Sequence, residues 1–80
     1  MDLVPSERAV LNLIRMLFLE GRSRTHRVTV LQSRWPVVHA QAYDGGYIGL
    51  LKKRLIEASA DHQSFTITNA GLKLLATGIK

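Results

Sequence analysis

A chain of 80 residues has room for one small hydrophobic core, and we expect a single domain over residues 1–80. Its 46% hydrophobic content excludes a disordered tail, and the absence of cysteine excludes a disulfide framework or a thiolate metal site. The net charge of +5, from eleven Lys and Arg against six Asp and Glu, favours a polyanionic partner, although a small domain can also carry such charge for solubility alone.

Residues 6–20 have the clearest helical pattern in the chain. Pro5 or Ser6 suits the first turn, and Gly21 suits the position just after the last turn. Leu19 projects toward the polar face and has no partner within the helix. The apolar stripe, spaced i, i+3, i+4 and i+7, consists of Val10, Leu13, Ile14 and Leu17.

Residues 22–35 allow two interpretations. The β-branched run at 25–30 favours a short strand, although Thr29 could equally cap a helix that begins at Val30. Basic charge is concentrated here, because no acidic residue occurs at 21–43. The basic residues in that interval are Arg22, Arg24, Arg27 and Arg34.

After the strand and a turn, we expect one short helix at residues 36–43. Pro36 would interrupt a helix interior, but its missing N–H is tolerated in a first turn. Trp35 and Val38 are expected to face the core. Residues 44–46, Asp-Gly-Gly, then predict a turn.

The next helix is predicted at residues 47–54 and has one basic side. Successive residues of a helix lie about 100° apart, which divides this segment into two faces. The apolar face is expected to contain Tyr47, Ile48, Leu51 and Leu55. The opposite face is expected to contain Gly45, Gly46, Gly49, Lys52 and Lys53.

A β-hairpin is predicted for residues 55–68. Its first strand lies at 55–59 and its return strand at 64–68, with Ala-Asp-His-Gln at the tip. Phe65 and Ile67 share one face of the return strand, while its serine and threonines share the other.

The junction after this hairpin carries the most informative motif in the chain. Asn69 is a good helix N-cap. The apolar stripe of the closing helix consists of Leu72, Leu75, Ala76 and Ile79. Residues 65–75, Phe-Thr-Ile-Thr-Asn-Ala-Gly-Leu-Lys-Leu-Leu, resemble the Leu-Thr-x-Ala-Gly strand-to-helix junction that is common in bacterial winged-helix regulators.

This resemblance implies an α+β winged helix-turn-helix domain, with a three-helix core, a small antiparallel β-hairpin wing and a C-terminal helix. It implies a bacterial or phage transcriptional regulator that binds double-stranded DNA. The recognition helix, about residues 45–54, would lie in the major groove, which is about 12 Å wide. The hairpin at 55–68 would act as the wing. The expected DNA contacts on the recognition helix are Gly46, Gly49, Lys52, Lys53 and Arg54.

Two further surfaces are candidates for DNA contact. His62 and Gln63, at the tip of the wing, can donate to phosphate or base edges, whereas Asp61 would be repelled by phosphate. Arg22 and Arg24 follow the first helix, and the resemblance implies that this part of the chain lies near the phosphate backbone, as it often does in winged-helix domains. A solvated loop is the alternative interpretation of these arginines.

A homodimer is expected through the first and last helices, because one small domain makes few contacts and binds weakly. Leu19 and Leu74 lie off the main apolar stripes and could form its interface, although scattered exposed leucines are normal. The alternative function is a winged-helix protein–protein interaction module without DNA binding. The lack of Lys or Arg at the hairpin tip favours it, and the basic run at 52–54 opposes it.

No enzyme, cofactor or metal is expected from the sequence. His26, His39 and His62 lack the spacing of a zinc site, and there is no Gly-x-Ser-x-Gly elbow or phosphate-binding loop. No apolar run approaches the ~20 residues that cross a bilayer, so no membrane contact is expected. Residues 1–8 lack the basic start of a signal peptide, and the absence of cysteine suits the cytoplasmic location that we expect.

Overall fold

The structure, a computed structural model, describes residues 3–77, with side chains described through Ala76. In this part of the chain, four α-helices and a three-stranded antiparallel sheet confirm the α+β class. The elements are α1 (Pro5–Gly21), β1 (Thr25–Arg27), α2 (Val28–Gln32), a 3₁₀ turn (Val37–His39), α3 (Ala40–Lys52), β2 (Ile56–Ala58), β3 (Ser64–Ile67) and α4 (Asn69–Thr77).

Helix α1 confirms the strongest periodic pattern of the sequence, with one residue added at each end. Pro5 is its first residue, and the carboxylate of Glu7 caps it by accepting the backbone N–H of Val4 at 3.0 Å. The expectation that Gly21 follows the last turn is wrong. Gly21 is still helical, and Arg22 takes the left-handed conformation instead, with a φ of 50°.

The segment after α1 differs from both interpretations of its sequence. Strand β1 ends at Arg27, and α2 begins at Val28, so neither a strand to residue 30 nor a helix beginning at Val30 is correct. Burial explains the early start. Val28 and Leu31 lie three residues apart on α2 and both enter the core, which overrides the strand preference of β-branched residues.

Helix α3 is one continuous helix where two helices and a turn were predicted. Residues 40–43 are helical as expected, but they belong to α3 and not to a separate helix that begins at Pro36, and the turn expected at 44–46 is wrong. The glycines are needed for close packing, because a β-carbon on Gly46 would lie 2.6 Å from the carbonyl carbon of Ser6 in α1. Val38 was expected in the core but is 87% exposed, since it belongs to the 3₁₀ turn before α3. Trp35 does pack against the core.

The sheet has the order β1-β3-β2, so the strand just after α1 pairs with the return strand of the hairpin. His26 lies opposite Phe65 in one pair of strands, and Ala58 lies opposite Phe65 in the other. Phe65 and Ile67 are both fully buried, which confirms that they share the inner face. The predicted hairpin is also confirmed, although its paired strands are shorter than expected.

The junction between β3 and α4 is capped by Thr68, and the expectation that Asn69 is the cap is wrong. The hydroxyl oxygen of Thr68 accepts the backbone N–H of Gly71 at 3.1 Å, and its carbonyl accepts that of Leu72 at 2.9 Å. The side chain of Asn69 instead accepts a hydrogen bond from Arg24. Ile79, the last member of the predicted stripe, lies outside the described residues.

The core lies between α1, α3 and the inner face of the sheet. Leu74 packs against it, so this leucine is not the exposed residue that the sequence suggested. None of the helices within residues 3–77 is long and apolar enough to cross a membrane. The fully buried large side chains are Val10, Leu11, Ile14, Leu31, Leu50, Leu55, Ile56, Phe65 and Ile67.

Candidate nucleic-acid interface

Four exposed residues of helix α3 form a line along one face, which we call the α3 stripe. Its members are Gln41, Gly45, Ile48 and Lys52, which are spaced i, i+4, i+7 and i+11 on one face of the helix. Gly46 and Leu50 lie on the opposite face, and both are buried. The stripe therefore lies at the centre of the side of α3 that the rest of the domain leaves uncovered, with Ala42 and Asp44 exposed on either side of it.

Gly46 and Gly49 do not lie on this exposed face, so the expectation that they share the exposed side of the helix with Lys52 is wrong, and a DNA contact by them does not fit this placement. Gly46 is buried against the backbone of Ser6. Gly49 faces the side chain of Glu7, whose carboxyl carbon would lie 2.9 Å from an added β-carbon. Both glycines pack α3 against α1. The sequence pattern misled because it assigned the two faces of the helix without knowing which side α1 covers.

Lys53 also turns away from the α3 stripe. Its Nζ lies 2.5 Å from Oε1 of Glu7, a carboxylate that is only 5% exposed. Burial raises the pKa of Glu7, but the hydrogen bonds from Lys53 and from the backbone of Val4, together with the charge of Lys53, outweigh burial and lower it below its ordinary value. Lys53 therefore holds the end of α3 to the start of α1, and its predicted role as a DNA contact does not fit this placement.

Lys52 and Arg54 remain exposed at the end of the stripe. Within residues 3–76 neither side chain forms an ion pair. The backbone of Arg54 closes α3, because its N–H bonds the carbonyl of Leu51 at 3.1 Å while the N–H of Leu55 bonds that of Leu50 at 3.1 Å. Arg54 has a φ of 58° at this position, which is usually glycine.

Arg22 and Arg24 were predicted together but have different environments. Arg22 is exposed at the left-handed end of α1. The guanidinium of Arg24 donates to the carbonyl of Ile67, at 3.0 Å from Nε and 2.8 Å from Nη2, and to the side chain of Asn69 at 3.2 Å. Arg24 therefore ties the approach to β1 to the β3–α4 junction, a role that the sequence expectation missed.

The hairpin tip is a tight turn organised by Asp61. Its Oδ1 accepts the hydroxyl of Ser59 at 2.6 Å and the backbone N–H of Gln63 at 3.1 Å, and the Ser59 bond is the main reason that the pKa of Asp61 is lowered. His62 takes a φ of 58° in this turn. The side chains of His62 and Gln63 are exposed, so they can reach a partner outside the domain.

The two valines before α3 could not be identified as surface residues from the sequence pattern. Val37 is 92% exposed and Val38 is 87% exposed, immediately before α3. A Pro-Val-Val run looks like core in any hydropathy pattern, so only the position of the 3₁₀ turn identifies it as surface. Arg27 is exposed on β1, beside Ser64 of β3. The sequence signal for this exposure was the position of Arg27 in a predicted strand, because successive side chains of a strand point to opposite faces.

Comparisons of the chain with protein-family models, with curated proteins and with solved structures found no match. The geometry described above is therefore the basis for assigning a function.

Proposed function

We propose that this protein is a winged-helix DNA-binding regulator whose helix α3 lies in the major groove. The order of its elements carries the proposal: three helices, a β-hairpin and a closing helix, with β1 paired to the return strand of the hairpin. The three helices, the hairpin and the closing helix are the arrangement implied by the resemblance of the β3–α4 junction, and β1 is an additional strand. Helix α3 directly precedes the hairpin, as a recognition helix does in that family. A regulator of this bacterial or phage type would act in the cytoplasm.

The dimensions and charge of α3 support this role. Its 13 residues span about 20 Å, and a single helix fits a groove about 12 Å wide. Lys52 and Arg54 lie where α3 ends, and either can reach a phosphate on the rim of the groove. The net charge of +5 adds a general attraction to the duplex.

Backbone conformation gives a second line of support. The non-glycine residues with positive φ in the described chain are Arg22, Arg54 and His62, and each was a candidate DNA contact on sequence grounds. An L-residue in the left-handed region costs about 1 kcal/mol relative to glycine. Retention of a side chain that can donate to phosphate at three such positions is consistent with a role outside the fold.

Fluorescence anisotropy with a mixed-sequence duplex at several salt concentrations tests the proposal. We expect the affinity to fall with salt, with a slope of about 0.9 per phosphate neutralised. Lys52→Ala and Arg54→Ala should each reduce that slope by about one. Arg15→Ala, which removes an exposed cation from the α4 side of α1, is the matched control and should leave the slope nearly unchanged. Binding without salt dependence, or equal effects of all three variants, would contradict the proposal.

A protein–protein interaction module is the second candidate. The exposed Val37 and Val38 favour it, because apolar side chains at a free surface commonly mark protein contacts. The absence of Lys and Arg from the hairpin tip at 60–63 also favours it. Lys52→Glu separates the two functions, since reversing this charge should abolish duplex binding and leave a protein contact through the valines intact.

A homodimer through α1 and α4 belongs to the same proposal. Leu19 is 60% exposed at this place, while the packing of Leu74 against the core reduces the expected interface. Sedimentation should show a dimer that Leu19→Glu dissociates, and a wild-type monomer at high concentration would contradict it. Leu19 also borders an apolar groove of about 330 Å³ between α1 and α4, the two helices of the proposed interface. The groove is lined by Arg15, Phe18, Leu19, Leu72, Leu75 and Ala76.

A further inference from the structure

The 3₁₀ turn before α3 and the middle of the α3 stripe are apolar, where a phosphate-binding surface would be basic. Val37 and Val38 are the two most exposed large hydrophobic side chains in the described chain, and Ile48 of the α3 stripe is 51% exposed. None of the three is needed to fill the core, so the fold alone does not account for them. Gln41 lies between the valines and Ile48 in sequence, and its amide is exposed.

The basic residues of α3 and its C-terminal cap lie at one end of the helix. The first part of the α3 stripe carries no cation, and Lys52 is its only one. Phosphate contacts position a protein on DNA, whereas contacts to base edges specify sequence. In helix-turn-helix proteins, the residues at the start of the recognition helix contact the bases. The uncharged part of the α3 stripe, from Gln41 to Ile48, is thus suited to base edges, and Lys52 is suited to the backbone.

The chemistry of these side chains selects among the base pairs. The C5-methyl of thymine is the apolar group of the major groove, and Gln pairs with N6 and N7 of adenine through two hydrogen bonds. A G·C pair presents polar groups there, which valine and isoleucine would leave without partners. Gly45 leaves room at the centre of the stripe, since nothing lies within 4 Å of the β-carbon it lacks.

We infer that the 3₁₀ turn before α3 and the uncharged part of the α3 stripe read A·T pairs from the major groove, with Val37, Val38 and Ile48 against thymine methyls and the amide of Gln41 on adenine. This inference rests on the proposed function and adds the class of sequence that the domain selects. Asp44 lies beside the stripe and opposes binding through its charge, because it faces the same polyanion.

Three synthetic duplexes of equal length separate the sources of preference. Alternating dA–dT is the reference. Alternating dA–dU removes only the thymine methyls, and alternating dI–dC keeps the minor-groove pattern of A·T while presenting the major-groove pattern of G·C. We expect dA–dT to bind best, and dA–dU to bind about fourfold more weakly for each buried thymine methyl that it lacks. A domain that reads the minor groove would instead bind dI–dC as well as dA–dT.

Variants assign the preference to the named side chains. The double change Val37→Ser and Val38→Ser should bring the dA–dT and dA–dU affinities close together, and Gln41→Leu should weaken the preference for dA–dT over dI–dC. Val30→Ser is the matched control, because Val30 is an exposed valine on α2 and should leave both ratios unchanged. All of these side chains are exposed, so the variants are expected to fold.

The outcomes distinguish the inference from the function on which it rests. Salt-dependent binding of equal strength to dA–dT, dA–dU and dI–dC would overturn the A·T inference and leave the DNA-binding proposal standing. A ratio that survives the double valine change would also overturn it. No binding to any duplex at low salt would overturn both, and would make Val37 and Val38 part of a protein-contact surface.

Discussion

Gly45 and Gly46 are neighbours on α3, yet a β-carbon should have opposite effects at the two positions. Gly45→Ala places a methyl in open space, so the helix propensity of alanine should raise the free energy of unfolding by about 1 kcal/mol. Gly46→Ala places a methyl 2.6 Å from the carbonyl carbon of Ser6 and 3.0 Å from Cγ2 of Val10. Backbone atoms cannot rotate aside, so we expect overpacking near the upper end of the usual range, about 3 kcal/mol.

The net effect at Gly46 is then a loss of about 2 kcal/mol, since the same gain in helix propensity offsets part of the overpacking. The two variants should differ by about 3 kcal/mol. With a denaturant slope near 1 kcal/mol/M, this difference separates their urea midpoints by about 3 M. Trp35, the only tryptophan, reports the transition by fluorescence, and helical circular dichroism provides a second probe.

Two results would refute this reasoning in different ways. If both alanine variants lose stability by similar amounts, residues 44–46 form the turn that their composition predicts, and α3 is not continuous. If both gain stability, α1 and α3 are not as close as the contact between Gly46 and Ser6 requires.

The remaining predictions concern the charged groups around α3. Because pairing lowers the pKa of Glu7, its stabilisation should be present above the ordinary value of 4.5 and lost as pH falls below it, and urea midpoints from about pH 7 to about pH 3 should show this. Glu7→Gln should flatten that dependence and cost about 1–3 kcal/mol at neutral pH, because Lys53 loses its charged partner. Arg54→Gly should raise stability by up to about 1 kcal/mol yet weaken duplex binding, whereas Arg54→Lys should change neither much. Asp44→Asn should tighten duplex binding, and the free energy of unfolding measured with urea should change by no more than about 0.5 kcal/mol.

The sequence predicted those elements whose pattern is local. The stripe of α1 and the alternation of Phe65 and Ile67 depend only on periodicity, and both were placed correctly. The continuity of α3 could not be predicted in this way, because the composition at 44–46 is typical of a turn. The close packing of α1 requires glycine at position 46. The glycine in this segment is therefore explained by tertiary packing, which the local pattern does not show.

The candidate site was predicted in part for a similar reason. Lys52 and Arg54 are exposed, as expected of cations after an amphipathic segment. Gly49 and Lys53 were assigned to the same face and in fact meet Glu7, a residue more than 40 positions earlier in the chain. The spacing of Gly46, Gly49 and Lys53 does mark one face of a helix, but sequence alone does not say whether that face meets another helix or a ligand.

Lys52 and Lys53, at the end of α3, therefore have different roles. Lys53 holds the end of α3 to α1 through Glu7, a residue that is 5% exposed, and Gly46 and Gly49 pack the same side of the helix against α1. Together these contacts set the rotation of α3 about its own axis, and that rotation decides which residues form the exposed stripe. Consecutive residues of a helix point about 100° apart, so Lys52 lies on the stripe when Lys53 faces α1. In the proposed function, loss of Lys53 would act on DNA binding through the orientation of α3, whereas loss of Lys52 would act through the charge that meets the phosphate.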